Sequence, residues 1–404
     1  MGARGAGYAL AGLITACTAT TGLEAPDTEA PLEEADVCLE LTADASLSEL
    51  TLDYVLRIAT ADVVFLVDVT GSMGGEVAAI REGLRARLAP ALFASIPGTR
   101  LGVATFADFP VAPHGSPSDA PFVLGQPPTD ELAAVENAVA ALEASGGNDA
   151  PESQVEALFQ LASGAGAGGF IPPSRCPEGT VGGGCFRVEA TPVVLLLTDA
   201  GTHNGPGGDF SYTAPEVRGL AARYEDARDA LRARGARVLG LFSGTRPEFR
   251  AHVERIAADS GAVGDDGAPL VVDIGSAGEG LDEAVAEVVG RLVAESPADI
   301  DLVLRDVEGD DGDALALLRD VVAAPPRPAG GGRAVDGRNE DVRPGTRVAF
   351  TLRFDVDALA PRAVVQRFRL RVTIRGDGVV ALERRTVDLV IPAESGEGCP
   401  QPGD

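Results

Sequence analysis

The sequence predicts a mixed α/β chain, with a doubly wound, mainly parallel sheet followed by a C-terminal antiparallel β-sandwich. Three observations point there. Asp62-Val-Val-Phe-Leu-Val67 and Pro192-Val-Val-Leu-Leu-Leu-Thr198 are short continuous apolar runs, as expected of strands buried on both faces. Residues 62–295 alternate strand-like with helix-like periodicity, which argues for helices on both faces of one sheet. After Pro297 the apolar period falls to two, the mark of half-exposed antiparallel strands.

At the N-terminus, Tyr8–Ala16 is apolar, follows Arg4 and is too short to span a bilayer, which suits a signal-peptide core. It ends in Leu13-Ile14-Thr15-Ala16-Cys17, which resembles a bacterial lipobox. Residues 1–17 are therefore expected to be a lipoprotein leader with Cys17 acylated, against the alternative of an ordinary secretory peptide. Thr18 in place of Asp resembles outer-membrane sorting. Residues 18–37 are acidic and Pro-containing and read as a tether with a reach of about 25 Å. Residues 38–61 contain an alternating run, Leu47–Arg57, that could add a strand to the sandwich.

The α/β domain is expected over 62–296. The first buried strand precedes a helix over 76–94, with Val77, Ile80, Leu84, Leu88 and Leu92 on one side. Strand Leu101–Phe106 follows, then helices over 130–144 and 152–162, the second buried strand, and a helix over 214–234 closed by Gly235. Strand 237–242, helix 247–259, strand 269–274 and helix 280–295 complete the set. In the sandwich, expected over 297–399, strands are read at Asp301–Arg305, Arg347–Phe354, Gln366–Ile374 and Thr386–Ile391, with Pro325–Arg338 as a Pro/Gly-rich loop.

The 404 residues suffice for two or three domains. Aromatics are only 4%, so Val, Leu, Ala and Ile must build the core. The net charge of −28, with every Lys+Arg cation an arginine, argues against nucleic acid or an anionic membrane surface as partner. The membrane is expected to be reached through the lipid anchor alone. Setting Cys17 aside leaves Cys38, Cys176, Cys185 and Cys399, an even set that allows three pairings in an exported chain. Cys176 and Cys185 share one Gly-rich loop and pair most naturally, closing it near the metal face. Cys38 and Cys399 then tie the ends of the folded region. A zinc site on these cysteines lacks C-x-x-C spacing and a nearby His.

Asp68-Val-Thr70-Gly-Ser72 stands directly after a buried strand, where one carboxylate and two hydroxyls can be aimed at a common point. A hard divalent cation takes such oxygen ligands. Asp199 ends the second buried strand, so in a parallel sheet both acids share one edge. As a string, D-x-T-x-S is common in turns and caps; its context gives it weight. The ordered set Asp68–Ser72, Arg100–Val111, Gly146–Glu152 and Thr198–His203 resembles the von Willebrand factor A (VWA) family, in particular the integrin β-subunit I-like branch. That resemblance implies a VWA, Rossmann-like sheet and a metal-ion-dependent adhesion site (MIDAS). In it Asp68, Thr70, Ser72, Glu152 and Asp199 hold Mg2+ or Mn2+, Asp199 directly or through water. It leaves one coordination position for an acidic side chain of a protein partner. It also implies an adjacent Ca2+ site at Asp108 and Asp149, with Glu152 and carbonyls near Gly147 and Pro151. There the family Asn falls on Gly147, with Asn148 one residue later. The paired acids of a third site fall on Gly75 and Glu76, so half of that site is missing.

Other roles compete. Asp68 could cap the following helix, Asp199 could be a loop acid, and Glu152 could favour a helix N-terminus. His203 is expected to order its loop; His114 and His252 carry no expected role. Gly164–Gly169 fits G-x-G-x-x-G but follows a helix, so dinucleotide binding is rejected. No nucleophile–His–acid order stands out. The expected function is non-enzymatic, metal-dependent protein binding by an exported, lipid-anchored envelope protein. A metal-dependent hydrolase and a structural protein whose loops a metal staples are the alternatives.

Overall fold

The structure is a computed structural model and describes residues 35–41, 47–355 and 362–399. The chain divides into two units at Ala35/Asp36, and the described residues from Asp36 onward belong to the second. Cys17 and the expected leader lie outside the described residues, as does the expected tether up to residue 34. Val37, read as the tether's end, opens the first strand.

In chain order the first elements are β1 (Val37–Glu40), β2 (Leu47–Val55), β3 (Ala61–Asp68), α1 (Gly74–Gly83), α2 (Ala89–Ser95), β4 (Arg100–Phe106), β5 (Val123–Thr129) and α3 (Leu132–Ala140). Next come β6 (Pro151–Glu152), α4 (Gln154–Ser163), β7 (Thr180–Val181), β8 (Phe186–Arg187), β9 (Thr191–Thr198), β10 (Gly201–Thr202), α5 (Tyr224–Arg232), β11 (Arg237–Phe242) and α6 (Pro247–Asp259). Then follow β12 (Val271–Asp273), α7 (Leu281–Glu295), β13 (Ala298–Asp306), β14 (Leu318–Arg327), β15 (Arg333–Val335), β16 (Arg338–Val342), β17 (Arg347–Asp355), β18 (Gln366–Gly376) and β19 (Val380–Ile391).

The α/β sheet has the order β12-β11-β9-β3-β4-β5 and is parallel except for β5, which runs antiparallel to β4. Every residue of β3 and β9 is buried, because helices cover both faces of these central strands. That explains their unbroken apolar runs. The sandwich packs β1-β19-β18-β13-β16-β15 against β14-β17-β2. Phe350, Phe354, Leu370, Val372 and Leu389 are among the side chains in its core. The mixed α/β architecture is therefore as the sequence predicts.

Several elements differ from expectation for local reasons. Residues 76–94 form α1 and α2 with a π-turn at Leu84–Leu88 between them; Pro90 lacks the N–H that would continue a regular ladder there. Expected as helix from residue 214, α5 begins only at Tyr224. Gly219 at φ +92 breaks the run, and the carboxylate of Asp226 accepts the Arg223 amide at the true start. The expected loop 325–338 holds the end of β14 and all of β15, since Pro325 and Pro326 need no ladder donor where pairing to β17 is interrupted.

Both disulfides form, Cys38–Cys399 and Cys176–Cys185, with Cα atoms 6.0 and 5.2 Å apart. The first joins β1, which runs parallel to β19, to the chain beyond that strand. The second does not lie near the metal face. It is followed by Phe186-Arg187, and Arg187 bonds Asp62 at the start of β3, whereas Asp68 ends that strand. Six residues of strand separate the two edges by about 20 Å.

Candidate metal centre

Parallel pairing sets Val67 beside Leu197 and Asp68 beside Phe106, so β3, β4 and β9 finish at one edge. Asp68, Asp108 and Asp199 therefore sit at the carboxyl ends of neighbouring strands, where open α/β sheets place their ligand sites. Glu152 reaches the same edge by another route. It belongs to β6, which pairs with β10 beyond the end of β9, in register Glu152 to Thr202. Its carbonyl accepts the His203 amide at 2.8 Å.

Asp68 is fully buried. Its Oδ1 accepts from the Thr70 amide at 3.0 Å and the Thr70 hydroxyl at 2.7 Å, and its Oδ2 from the Thr198 hydroxyl at 2.7 Å. The Thr70 and Ser72 hydroxyl oxygens lie 3.5 Å apart. Ser72, Glu152 and Asp199 line an open cavity of about 400 Å³, together with Asp149, Ser243 and Arg246. Three of the five expected residues, Ser72, Glu152 and Asp199, thus line one cavity, while Asp68 and Thr70 lie buried and meet Ser72 through the Thr70 hydroxyl.

The electrostatics are those of crowded acids. Burial pushes the Asp68 carboxyl up to about 7, against the Thr70 and Thr198 hydrogen bonds, and the charge of Asp199 adds to the rise. Burial first, then the charges of Asp68, Asp108, Asp149 and Asp119, push Glu152 up to about 11. Glu152 Oε2 is buried with no hydrogen-bond partner. An oxygen-only donor set with one orphaned buried carboxylate oxygen fits a hard divalent cation, which would relieve the repulsion.

The loop that carries Glu152 depends on Asp119, which sequence reasoning missed. Asp119 Oδ2 accepts from the Ser116 amide at 2.7 Å and the Gly147 amide at 3.0 Å. Gly146 and Gly147 adopt φ +80 and +77; a Cβ on Gly147 would stand 3.2 Å from Glu152 Oε1. No pattern in the sequence links residue 119 to residue 147; the pairing exists only in three dimensions.

Of the residues expected at the second site, Asp108 and Asp149 meet around one imidazole, that of His203. Its Nε2 lies 3.2 Å from Asp108 Oδ2 and 3.3 Å from Asp149 Oδ1. His114 Nδ1 lies 3.2 Å from Asp149 Oδ2. Burial would push His203 down, but Asp108, Asp149 and the Phe210 carbonyl outweigh it and hold the ring up at about 9. The Gly147 carbonyl accepts from the Ser116 hydroxyl at 3.4 Å, and Pro151 is buried in β6. His114, to which the sequence gives no role, thus pairs with Asp149, and His203 orders its loop through the Phe210 carbonyl while its other nitrogen meets the two acids. Tyr212, also missed, stacks on His203 with centroids 4.2 Å apart and donates its hydroxyl to Asp108 Oδ1. Glu76, expected at the incomplete third site, is buried with its carboxyl near Ser243, and half-buried Gly75 beside it supplies no second acid.

No protein-family model matches the chain, and no curated protein does. Among solved structures it is similar to a von Willebrand factor type A protein from Catenulispora acidiphila, with 14% identity and a TM-score of 0.36 over 88% of this chain and 72% of that one. It is similar to the pilus adhesin SpaC from Lactobacillus rhamnosus GG in its open conformation, with 13% identity and a TM-score of 0.37 over 85% of this chain and 45% of that one. It is also similar to proximal thread matrix protein 1 from the mussel byssus, with 13% identity and a TM-score of 0.35 over 62% and 51%. The chain spans about half the length of the last two. Likenesses this distant assign no residue, and the α/β sheet with its flanking β-sandwich is established by the chain's own strand order.

Proposed function

We propose that this chain is a VWA-type, metal-ion-dependent binding protein. Asp68, Thr70, Ser72, Glu152 and Asp199 would hold Mg2+ or Mn2+, and an acidic side chain of a protein partner would complete the coordination. The observation that supports this reading is that Ser72, Glu152 and Asp199 line one open cavity at the strand end that carries buried Asp68, with Glu152 Oε2 buried and unpartnered. The metal would supply the positive charge that draws a partner's carboxylate to a strongly acidic protein. The chain's own part is to hold the ligands rigidly: Thr70 and Thr198 fix the Asp68 carboxylate, and Asp119 fixes the loop that precedes Glu152.

The same reading makes the protein non-enzymatic, exported and lipid-anchored through Cys17 to a bacterial envelope, at the outer membrane or cell surface. Replacing Cys17 with Ala should release it from membranes or block processing; unchanged attachment would refute the anchor. For the binding function, the test is a pull-down from envelope extract with magnesium against EDTA, in wild type and Asp68→Ala. Capture that needs both metal and Asp68 supports the proposal. Capture that survives EDTA overturns it. Metal-dependent stability without metal-dependent capture would favour a structural staple, and turnover of generic esters or phosphates would favour a hydrolase.

A further inference from the structure

Behind the Asp68 rim, a second group of side chains converges whose chemistry is different. His203 Nδ1 lies 2.6 Å from the Phe210 carbonyl oxygen, which can only accept. The proton of the neutral ring therefore belongs on Nδ1, and its lone pair on Nε2. That Nε2 faces Asp108 Oδ2 at 3.2 Å and Asp149 Oδ1 at 3.3 Å. Asp108 is fully buried. Its Oδ1 is taken by the Phe109 amide at 2.6 Å and the Tyr212 hydroxyl at 2.5 Å. Its Oδ2 makes no hydrogen bond, since the nearby imidazole is not aligned to donate to it. The two separations from Nε2 are those of tetrahedron edges, about 3.3 Å long, around a cation with bonds of about 2.0–2.1 Å.

His114 plays another part. Its Nε2 accepts from the Thr213 amide at 3.2 Å, so its Nδ1 carries the proton and donates to Asp149 Oδ2 at 3.2 Å. It offers no lone pair to the cluster; it aims a carboxylate from behind, as partners of metal ligands do. Tyr212 stacks on His203 and packs edge-on against Phe109, which sets the plane of the imidazole.

We propose that Asp108, Asp149 and His203 form a second cation site that takes zinc, or a similar borderline transition ion, in preference to magnesium or calcium. His114 and Tyr212 are its positioning residues. An imidazole nitrogen among the donors is what selects the ion, because magnesium and calcium favour all-oxygen shells. The site shares no ligand with the Asp68 set, although Asp149 lines the same cavity, so its zinc uptake can be tested apart from the binding function proposed above.

The test uses the full chain, stripped by chelator and saturated with magnesium, then titrated with Zn2+ by calorimetry. Co2+ serves in parallel for its visible absorption. Wild type and Asp68→Ala should each take up one equivalent of zinc. His203→Gln and Asp149→Asn should bind at least about 100-fold more weakly. His114→Gln should keep the stoichiometry, bind about 10-fold more weakly and shift the cobalt band, which a purely structural role would not do. Asp149 is 32% exposed, so its substitution keeps the test open if changes at buried Asp108 prevent folding. The proposal is overturned if magnesium-saturated wild type takes up no zinc. Uptake that ignores His203→Gln but disappears in Asp68→Ala overturns it as well, as does displacement of the zinc by equimolar calcium.

Discussion

Replacing Asp68 with Asn separates the charge of the central acid from its shape. Asn retains Oδ1 as acceptor for the Thr70 amide and hydroxyl but loses the acceptor for the Thr198 hydroxyl. Thr198 still accepts from the Gln154 amide nitrogen and the Ala200 N–H, both at 3.1 Å, so the lost bond costs about 1 kcal/mol. Against this stands the burial of a carboxylate whose folded-state value is about 7, above its ordinary 3.8. A raised acid value means that the folded, metal-free protein binds more protons than the unfolded chain between those two values. Its stability contribution is intact below about pH 4 and is lost as pH rises through 7. The loss spans roughly three pH units at about 1.4 kcal/mol each, so its upper bound is about 4 kcal/mol. Metal-free Asp68→Asn should therefore be slightly less stable than wild type near pH 4 and more stable at pH 8. Magnesium at 100 times its dissociation constant should narrow that gap at pH 8 by adding about 2.7 kcal/mol to wild type alone. Thermal melts of both proteins at pH 4 and 8, in EDTA and in magnesium, measure these differences. Equal magnesium-induced shifts in the two proteins would refute Asp68 as a ligand. A pH-independent difference between them in EDTA would refute the buried-charge argument.

Three further outcomes follow from the same geometry. Gly147→Ala forces a side chain onto φ +77 and into the space beside Glu152 Oε1, so it should cost about 1 kcal/mol and weaken magnesium binding; unchanged affinity by calorimetry would show the loop to be tolerant. Arg187→Ala removes the guanidinium that bonds the wholly buried Asp62 at 2.6 and 2.8 Å and should destabilise the protein by about 3 kcal/mol in urea melts, without affecting magnesium binding at the opposite edge. Replacing Cys38 and Cys399 with Ser opens a link between residues 361 apart in sequence and should cost about 2–5 kcal/mol; a melt identical to wild type would show the bond to be dispensable.

The positions of Asp68 and Asp199 were legible in the sequence because a strand buried on both faces leaves a continuous apolar run, and the first acid after such a run must stand at the strand's end. The alternating run at Leu47–Val55 was legible for the complementary reason, and it pairs with β17 as the edge strand of one sheet of the sandwich. Spacing also identified both disulfides, since few pairings of four cysteines are natural when two share one loop. Its extension to place Cys176–Cys185 near the metal face failed, because that loop returns to the start of β3 rather than its end.

By itself the sequence determined the periodicities, the element types and the edge on which the first acids gather, since these depend on neighbours within a few residues. It could not determine which distant loops fold over that edge. Asp119 beneath Gly147, Tyr212 against Asp108, and His114 and His203 on either side of Asp149 are contacts between segments separated by 28 to 104 residues. A histidine carries no periodic signal of its own, and its tautomer is set by whichever carbonyl or amide the tertiary fold brings to each ring nitrogen. Packing of the loops at residues 109–119, 145–150 and 203–214 over the end of the sheet decided that chemistry, through a small apolar cluster at Phe109, Tyr212 and Val217.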